Sequence, residues 1–390
     1  MTFITRQSDI ITISRGGPVQ FARPNADIVV VGAGPAGLAA AIAARHKGFT
    51  VLVTDGAEPP IDKPCGEGMM PGTQVALRSL GVALLPEDGQ HFRGIRFVSG
   101  ETHLTADFPS GQGIGLRRTI LHQRLLEAAE KAGVKFLWKT PVRGIGEQEV
   151  QIPGRSIAAR WIIGADGSGS RVRRWAGLDH ALRRKQRKAT RRHYHLRPWS
   201  EYAEIHWGPR SQAYVTPISP EEVCIVVIAG SAEDANFETV LAGLPELRER
   251  LRGAEIASRE RGAITAMHTL RRVSRGNVAL VGDASGTVDA ITGEGLRLGF
   301  RQAKALADAI ASGNLSHYER EHRTLARRPH WMGQLMLRLG RNHWLRDRSM
   351  RAMQGRPDLF ERLLAIHVGH ATPRHVLAAG AQLGWQFLAA

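Results

Sequence analysis

The sequence predicts an α/β protein: a parallel sheet flanked by helices, an antiparallel sheet inserted into it, and a helical C-terminal end. Three observations carry the prediction. A β-branched run at 27–31 leads through closely spaced glycines into an Ala-rich helix and a second strand. Two later segments, 159–178 and 276–310, again run from an apolar strand into a Gly/Asp turn. Between them, residues 190–228 alternate polar and apolar side chains between Pro-containing breaks, the period of an antiparallel sheet with one covered face. At 390 residues and 42.7 kDa the chain exceeds a single small core, so two interleaved domains are expected. A hydrophobic fraction of 43% and a charged fraction of 23% exclude a disordered or fibrous class.

Residues 1–25 lack the uninterrupted apolar core of a secretory signal and are expected to be a leader that is poorly ordered or lies on the surface. The next stretch, DIVVVGAGPAGLAAAIAARHKGFTVLVTD (27–55), reads as strand, turn, helix, strand. Gly32 permits the sharp turn, Gly34 lets a pyrophosphate approach the backbone, and Gly37 lets helix and strand pack closely. The helix N-terminus then offers free N–H groups to phosphates. Asp55 ends the second strand, where a carboxylate accepts bonds from ribose hydroxyls. These features together predict a Rossmann-like dinucleotide site.

A loop follows, DKPCGEGMMPG (62–72), and its Gly-Glu-Gly trio returns in TGEGLRLGF (292–300). Both loops leave the carboxyl ends of strands, where ligands of α/β sheets sit. LRRTILHQRLLEAAEKAGV (116–134) is an amphipathic helix opened by Arg118. A cation there opposes the helix dipole and calls for a compensating anion, with Arg117 as the competing candidate for contacting it. The run at 182–193, LRRKQRKATRRH, is read as a solvated charge run at a domain crossing.

Cys65 and Cys224 are the two cysteines, far apart and without metal-ligand spacing, which points to a cytoplasmic protein with no structural metal. The net charge of +17 invites nucleic acid or an anionic membrane face as partner. After residue 316 the chain turns helical and basic, with Trp, Leu and Met among arginines. That pattern has two readings, packing on the rest of the protein or peripheral contact with a membrane. No specific nucleic-acid partner is assigned, and the oligomeric state is left open.

In order along the chain, the fingerprint, GADG (164–167) and GDASG (282–286) resemble the motifs of single-fingerprint FAD-dependent oxidoreductases. This group holds the aromatic hydroxylases, the flavin-dependent halogenases and the geranylgeranyl reductases. KPCGEG and TGEGL look most similar to the geranylgeranyl reductase branch, although that branch's Tyr-x-Trp-x-Phe-Pro strand is missing from 213–228. The resemblance implies a Rossmann-like FAD-binding domain with an inserted antiparallel β-sheet substrate domain and C-terminal helices. The corresponding boundaries are a leader at 1–25, an FAD-binding domain at 26–80, 112–181 and 260–315, a substrate domain at 81–111 and 182–259, and basic C-terminal helices at 316–390.

By the same resemblance FAD is the cofactor, contacted by Gly32, Gly34, Gly37, Asp55, Arg118, Asp166, Gly282, Asp283, Gly293, Glu294 and Gly295. No second fingerprint appears, so NADPH or NADH is expected to act as a transient electron donor. Cys65, Glu67 and His206 are the catalytic candidates. Cys65 is a packing residue, a redox thiol or a proton donor; Glu67 and Glu294 are general acids or loop carboxylates; His206 is a base or a satisfied sheet histidine. His206, Trp207 and Tyr214 lie nearest the expected pocket face, and alternation allows only one of His206 and Trp207 to line it. The expected activity is that of an FAD-dependent oxidoreductase acting on a hydrophobic small molecule. A monooxygenase is the first reading, a reductase of an unsaturated lipid-like substrate the second, and a basic surface-binding flavoprotein the third.

Overall fold

The computed structural model describes residues 26–179, 186–230 and 236–370, so the expected leader lies outside the described residues. Five parallel strands form the centre of the first, eight-stranded sheet in the spatial order Val278–Leu280, Arg155–Gly164, Ala26–Val31, Val51–Thr54, Lys135–Leu137. The strand order reverses between Ala26–Val31 and Arg155–Gly164, which creates the crevice where α/β sheets bind ligands. Register fixes what reaches that crevice. Val31 lies opposite both Thr54 and Gly164, and Gly164 lies opposite Leu280. The fingerprint turn, Asp55, Asp166 and Asp283 therefore leave the sheet at one edge.

Ile28, Val29 and Val30 are fully buried because both faces of their strand are covered. One face packs under the Ala-rich helix Pro35–His46 and the helices Arg118–Lys131 and Gly295–Ala311. The other packs on the antiparallel hairpin strands Gly144–Gly146 and Glu149–Ile152.

The second sheet runs Glu255–Ile256, Arg187–His195, Glu222–Ala229, Ser211–Ser219, Tyr202–Trp207, Gly94–Ser99, Thr102–Asp107. It is antiparallel except where Tyr202–Trp207 meets Gly94–Ser99. Gln90–Phe92 does not join it. That strand pairs with Gly113–Gly115, which also pairs with Gly68–Met69, so a small sheet ties the two domains at the first acid-bearing loop.

The C-terminal helices Leu315–Arg341, His343–Gln354 and Pro357–Val368 bridge the domains. At the start of the first, the Tyr318 hydroxyl donates to the Leu280 carbonyl and Glu319 accepts from Val273 and Ser274. Further on, Met332, Met336, Met353 and Phe360 share a core with Ile205 and Trp207 of the second sheet. Packing thus explains the apolar residues of this basic region, although not the exposed ones.

Candidate active site

A cavity of about 1940 Å³ runs from the carboxyl edge of the parallel sheet to the C-terminal helices. Its first half is lined by Gly34, Ala36, Arg118, Asp166 and Asp283, its second by Phe97, Ile205, Leu335, Met336 and Phe360.

The three fingerprint glycines have separable causes. Gly32 has φ +106°, and a Cβ there would lie 2.5 Å from the Ala165 carbonyl oxygen. A Cβ on Gly37 would lie 1.9 Å from the Gly32 oxygen. A Cβ on Gly34 would meet nothing within 4 Å, yet Gly34 lines the cavity. Gly32 and Gly37 serve the fold, whereas Gly34 keeps open a space that the protein itself does not fill. Asp55 does not line the cavity; its carboxylate accepts the N–H groups of Ala33 at 2.7 Å and Ala57 at 2.9 Å and so holds the turn. Asp166 likewise holds backbone, accepting from Arg171 N at 2.7 Å and Val172 N at 3.1 Å at the start of a short helix.

Asp283 projects into the cavity just past Gly282. Its side chain is exposed toward the cavity, yet the protein packed around that cavity desolvates it and raises its carboxyl above the usual range against the pull of Arg118 and Lys63. Arg118 lines the cavity and its Nε is buried without a hydrogen-bond partner, a donor waiting for an acceptor. Arg117 is turned the other way, donating to Glu222 at 2.7 Å and lying 3.1 Å from His193 Nδ1. An open cradle at Gly34, an orphaned guanidinium nitrogen and a cavity-facing carboxylate are what a dinucleotide's pyrophosphate and sugar hydroxyls require. The residues present fit FAD.

The two Gly-Glu-Gly loops converge on the cavity, where Gly66, Gly68, Gly293 and Gly295 line it with backbone. Of the two readings of the glutamates, general acid or loop carboxylate, the pairing of both with arginines favours the second. Glu67, 3% exposed and at φ +57°, accepts from Arg191 Nη1 at 2.9 Å and lies 2.6 Å from His193 Nε2. The Arg117 donor beside Nδ1 makes Nε2 the protonated nitrogen, so His193 donates to Glu67. Glu67 also accepts the Arg118 N–H at 2.9 Å and supplies the anion that this helix N-terminus needs. Glu294, 2% exposed, pairs with Arg297 at 3.1 Å and Arg328 at 3.8 Å and does not line the cavity.

The second sheet grips the first loop at three successive residues, Cys65, Gly66 and Glu67. Cys224 Sγ donates to the Cys65 carbonyl at 3.8 Å, Thr216 Oγ1 to that of Gly66 at 2.8 Å, and Arg191 and His193 to the Glu67 carboxylate. Cys65 itself is half-buried and lines the cavity. Burial pushes the Cys224 thiol well above its ordinary range and leaves it a packing group. Glu67, His193 and Cys224 lie within 4.8 Å of one another, but the Arg191 guanidinium already neutralises the carboxylate a metal would need.

His206 is a correction. Glu204 and His206 share one face of their strand, and His206 Nε2 lies 2.9 Å from Glu204, which also takes the Trp199 N–H. Ala203, Glu204 and Ile205 of this strand line the cavity, with Tyr214 beside them, and His206 does not. Alternation was the right rule, and Trp207 lies on the cavity side, but within the apolar core beneath the C-terminal helices.

Sequence reasoning missed Arg187, Arg191 and His193, which it placed in a solvated charge run. Residues 182–185 lie outside the described residues; from Arg187 onward the run is a strand. Its odd positions face inward: Arg187 pairs with Asp289, and Arg191, 2% exposed, pairs with Asp62 and Glu67. The period-2 placement of 187, 191 and 193 was the available signal.

Two buried histidines, His122 and His322, and half-buried His367 hold the loops around the cavity. His122 Nε2 donates to the Ala33 carbonyl at 3.0 Å, His367 Nε2 to that of Thr292 at 2.9 Å, and His322 Nε2 to Ser285 Oγ at 2.9 Å. Burial lowers all three below the ordinary histidine range, His322 to about 4 from 6.5. The unfolded chain therefore takes up protons first, and stability is lost as pH falls from about 6.5 toward 4, by at most about 3 kcal/mol for His322. The melting temperature should drop between pH 7 and pH 5, and His322→Gln should flatten that slope; an unchanged slope would remove His322 as a contributor.

Comparison with known proteins agrees with this site. The chain is similar to menaquinone reductase of Mycobacterium tuberculosis, 28% identical over 318 residues that span 75% of this chain and 78% of the relative. It is equally similar, at 28% over 318 residues, to digeranylgeranylglycerophospholipid reductase of Methanothrix thermoacetophila, with 74% and 79% covered. Among solved structures, a flavoprotein/dehydrogenase from Cytophaga hutchinsonii superposes with a TM-score of 0.77 at 21% identity, covering 88% of this chain and 93% of the other. The fold is thus that of the single-fingerprint FAD-dependent oxidoreductases. Residues 25–321 match the FAD binding domain model, which spans the glycine cradle, Arg118 and Asp283, and the chain belongs to that family as an FAD-dependent oxidoreductase.

Proposed function

We propose that the protein is a flavin-dependent reductase of carbon–carbon double bonds in a long isoprenoid lipid. The observation that carries this is the second half of the cavity, an elongated apolar chamber walled by Phe97, Ile205, Leu335, Met336 and Phe360 beyond the loops that face the cofactor's place. Such a wall stabilises an aliphatic chain by burial, at about 25 cal/mol per Å² of apolar area removed from water. Both similar curated proteins are named for lipids that carry isoprenoid chains.

FAD, once bound and reduced by a nicotinamide donor, would supply the hydride that, with one proton, saturates a double bond and leaves the flavin oxidised. Gly34 and Arg118 would hold its pyrophosphate and Asp283 a hydroxyl of its sugar chain. The backbones of Gly66, Gly68, Gly293 and Gly295 would lie against the ring. The Cys65 thiol, half-buried on the clamped loop and lining the cavity, would give the proton to the substrate carbon. NADPH or NADH would restore the reduced cofactor from a transient site.

The test is anaerobic turnover with each nicotinamide donor and a detergent-dispersed polyprenyl lipid. The expected product gains two hydrogens per reduced double bond. Incorporation of labelled oxygen in air, without saturation, would show a monooxygenase instead. Cys65→Ser should keep bound FAD and lose turnover roughly a hundredfold, at the low end of what general acids contribute. Unchanged turnover would make the thiol a packing group.

A further inference from the structure

We infer that the apolar end of the cavity docks on an anionic lipid bilayer, through the exposed face of helix Leu315–Arg341 and the start of helix His343–Gln354. From His322 to Arg346 the chain carries six arginines and no carboxylate. Arg327, Trp331, Gln334, Arg338 and Arg341 are exposed and recur every three or four residues, so they form one stripe along the first helix. Trp331 is 47% exposed and Trp344 60%, and the Arg348 guanidinium lies 5.5 Å from the Trp344 ring centre. Exposed tryptophans beside arginines suit the headgroup region, where an indole sits with one edge apolar and one wet and each basic residue adds attraction to anionic lipid.

The stripe adjoins the cavity. Leu335 lies one turn beyond Trp331, and Leu345 follows Trp344 directly; both leucines, with Leu339, are half-buried and line the cavity. The wall of the apolar chamber and the basic, Trp-bearing surface are two sides of the same helical segments. A lipid could pass from a bilayer to the chamber without crossing water. Among the described residues no helix is long and apolar enough to cross a membrane, so the contact is peripheral. Charge complementarity selects the bilayer's sign. The inference is independent of which reaction the flavin performs.

Arg346, which the sequence groups with Arg338 and Arg341, takes no part. It is 6% exposed, donates to the Gly208 carbonyl at 3.2 Å and pairs with Asp347. The variants are therefore Arg338→Glu/Arg341→Glu and Trp331→Ser/Trp344→Ser, none of which lines the cavity. The full-length holoprotein is sedimented with vesicles of phosphatidylcholine alone and with phosphatidylglycerol added, in low and high salt.

Expected is binding to the phosphatidylglycerol vesicles in low salt that falls by at least about tenfold in each double variant, with FAD absorbance and melting temperature unchanged. Four results would overturn the inference: no binding to either vesicle, equal binding to both, binding retained by both variants, or binding that appears only after residues 371–390 are removed, which would make the chain's own C-terminal segment the occupant. A dimer that dissociates in the tryptophan variant, with no vesicle binding, would assign the face to a second copy instead.

Discussion

Gly34→Val should give a folded protein that does not hold FAD. Gly34 has φ −67° and ψ 173°, an extended conformation open to any residue, and a Cβ there meets no protein atom within 4 Å. The folded chain thus has room for valine, and the stability change without cofactor should stay within about 0.5 kcal/mol, as for surface substitutions. The same space is where a pyrophosphate approaches the start of helix Pro35–His46, and a branched side chain would fill it. Affinity for FAD should fall at least a hundredfold, about 3 kcal/mol, with Gly34→Ala between parent and valine variant. Gly32 and Gly37 cannot serve this test, because a Cβ at either collides with backbone and would damage the fold first. Isothermal titration of the apoprotein with FAD, paired with melting curves, measures both effects. A fully yellow Gly34→Val would mean that the fingerprint does not hold the cofactor.

The difference between those glycines shows what the sequence could disclose. Their roles follow from a local pattern, strand to turn to helix, in which spacing alone decides geometry, so the FAD-binding half was legible. The antiparallel sheet was legible too, from its period of two. Which face of that sheet would be covered was not. Strand Tyr202–Trp207 presents Ala203 and Ile205 to the cavity and His206 to Glu204, a choice made by packing under helices more than 100 residues later in the chain. The partners of the two Gly-Glu-Gly loops were hidden for the same reason. Arg191 and Glu67 are 124 residues apart, and nothing near either one announces the pair. A carboxylate between glycines reads as exposed and reactive until its arginine is found. The C-terminal region divides on the same line, its periodic apolar residues predictable as a packed face and its arginines separable into buried and exposed only by the fold.

Arg191→Met should be among the most destabilising single changes in the substrate sheet, and adding Glu67→Gln should recover part of the loss. Arg191 holds its charge in spite of burial because Asp62 and Glu67 outweigh the desolvation, and Asp62 in turn stays below the usual carboxylate range although burial opposes it. Methionine roughly keeps the side-chain volume but leaves the Glu67 carboxylate, with its side chain 1% exposed, without a cation beside it, facing His193, the Cys224 thiol and a backbone N–H. The other nitrogen of His193 faces Arg117 at 3.1 Å and the Ser258 hydroxyl at 2.7 Å. An uncompensated buried charge of this kind costs about 3–5 kcal/mol. Asp62 would not add to the cost, because Arg261 remains paired with it at 2.8 Å. Glu67→Gln in the same chain removes the stranded charge while its amide oxygen can still accept from Arg118 N, so the double variant should be more stable than Arg191→Met alone. Denaturant melts of the parent, both single variants and the double variant read the coupling directly. The absorbance of bound FAD reports whether the Cys65 loop has moved, because that loop is pinned to the sheet through this pair. Additive losses, or an Arg191→Met protein within about 0.5 kcal/mol of the parent, would mean that the pair does not anchor the loop.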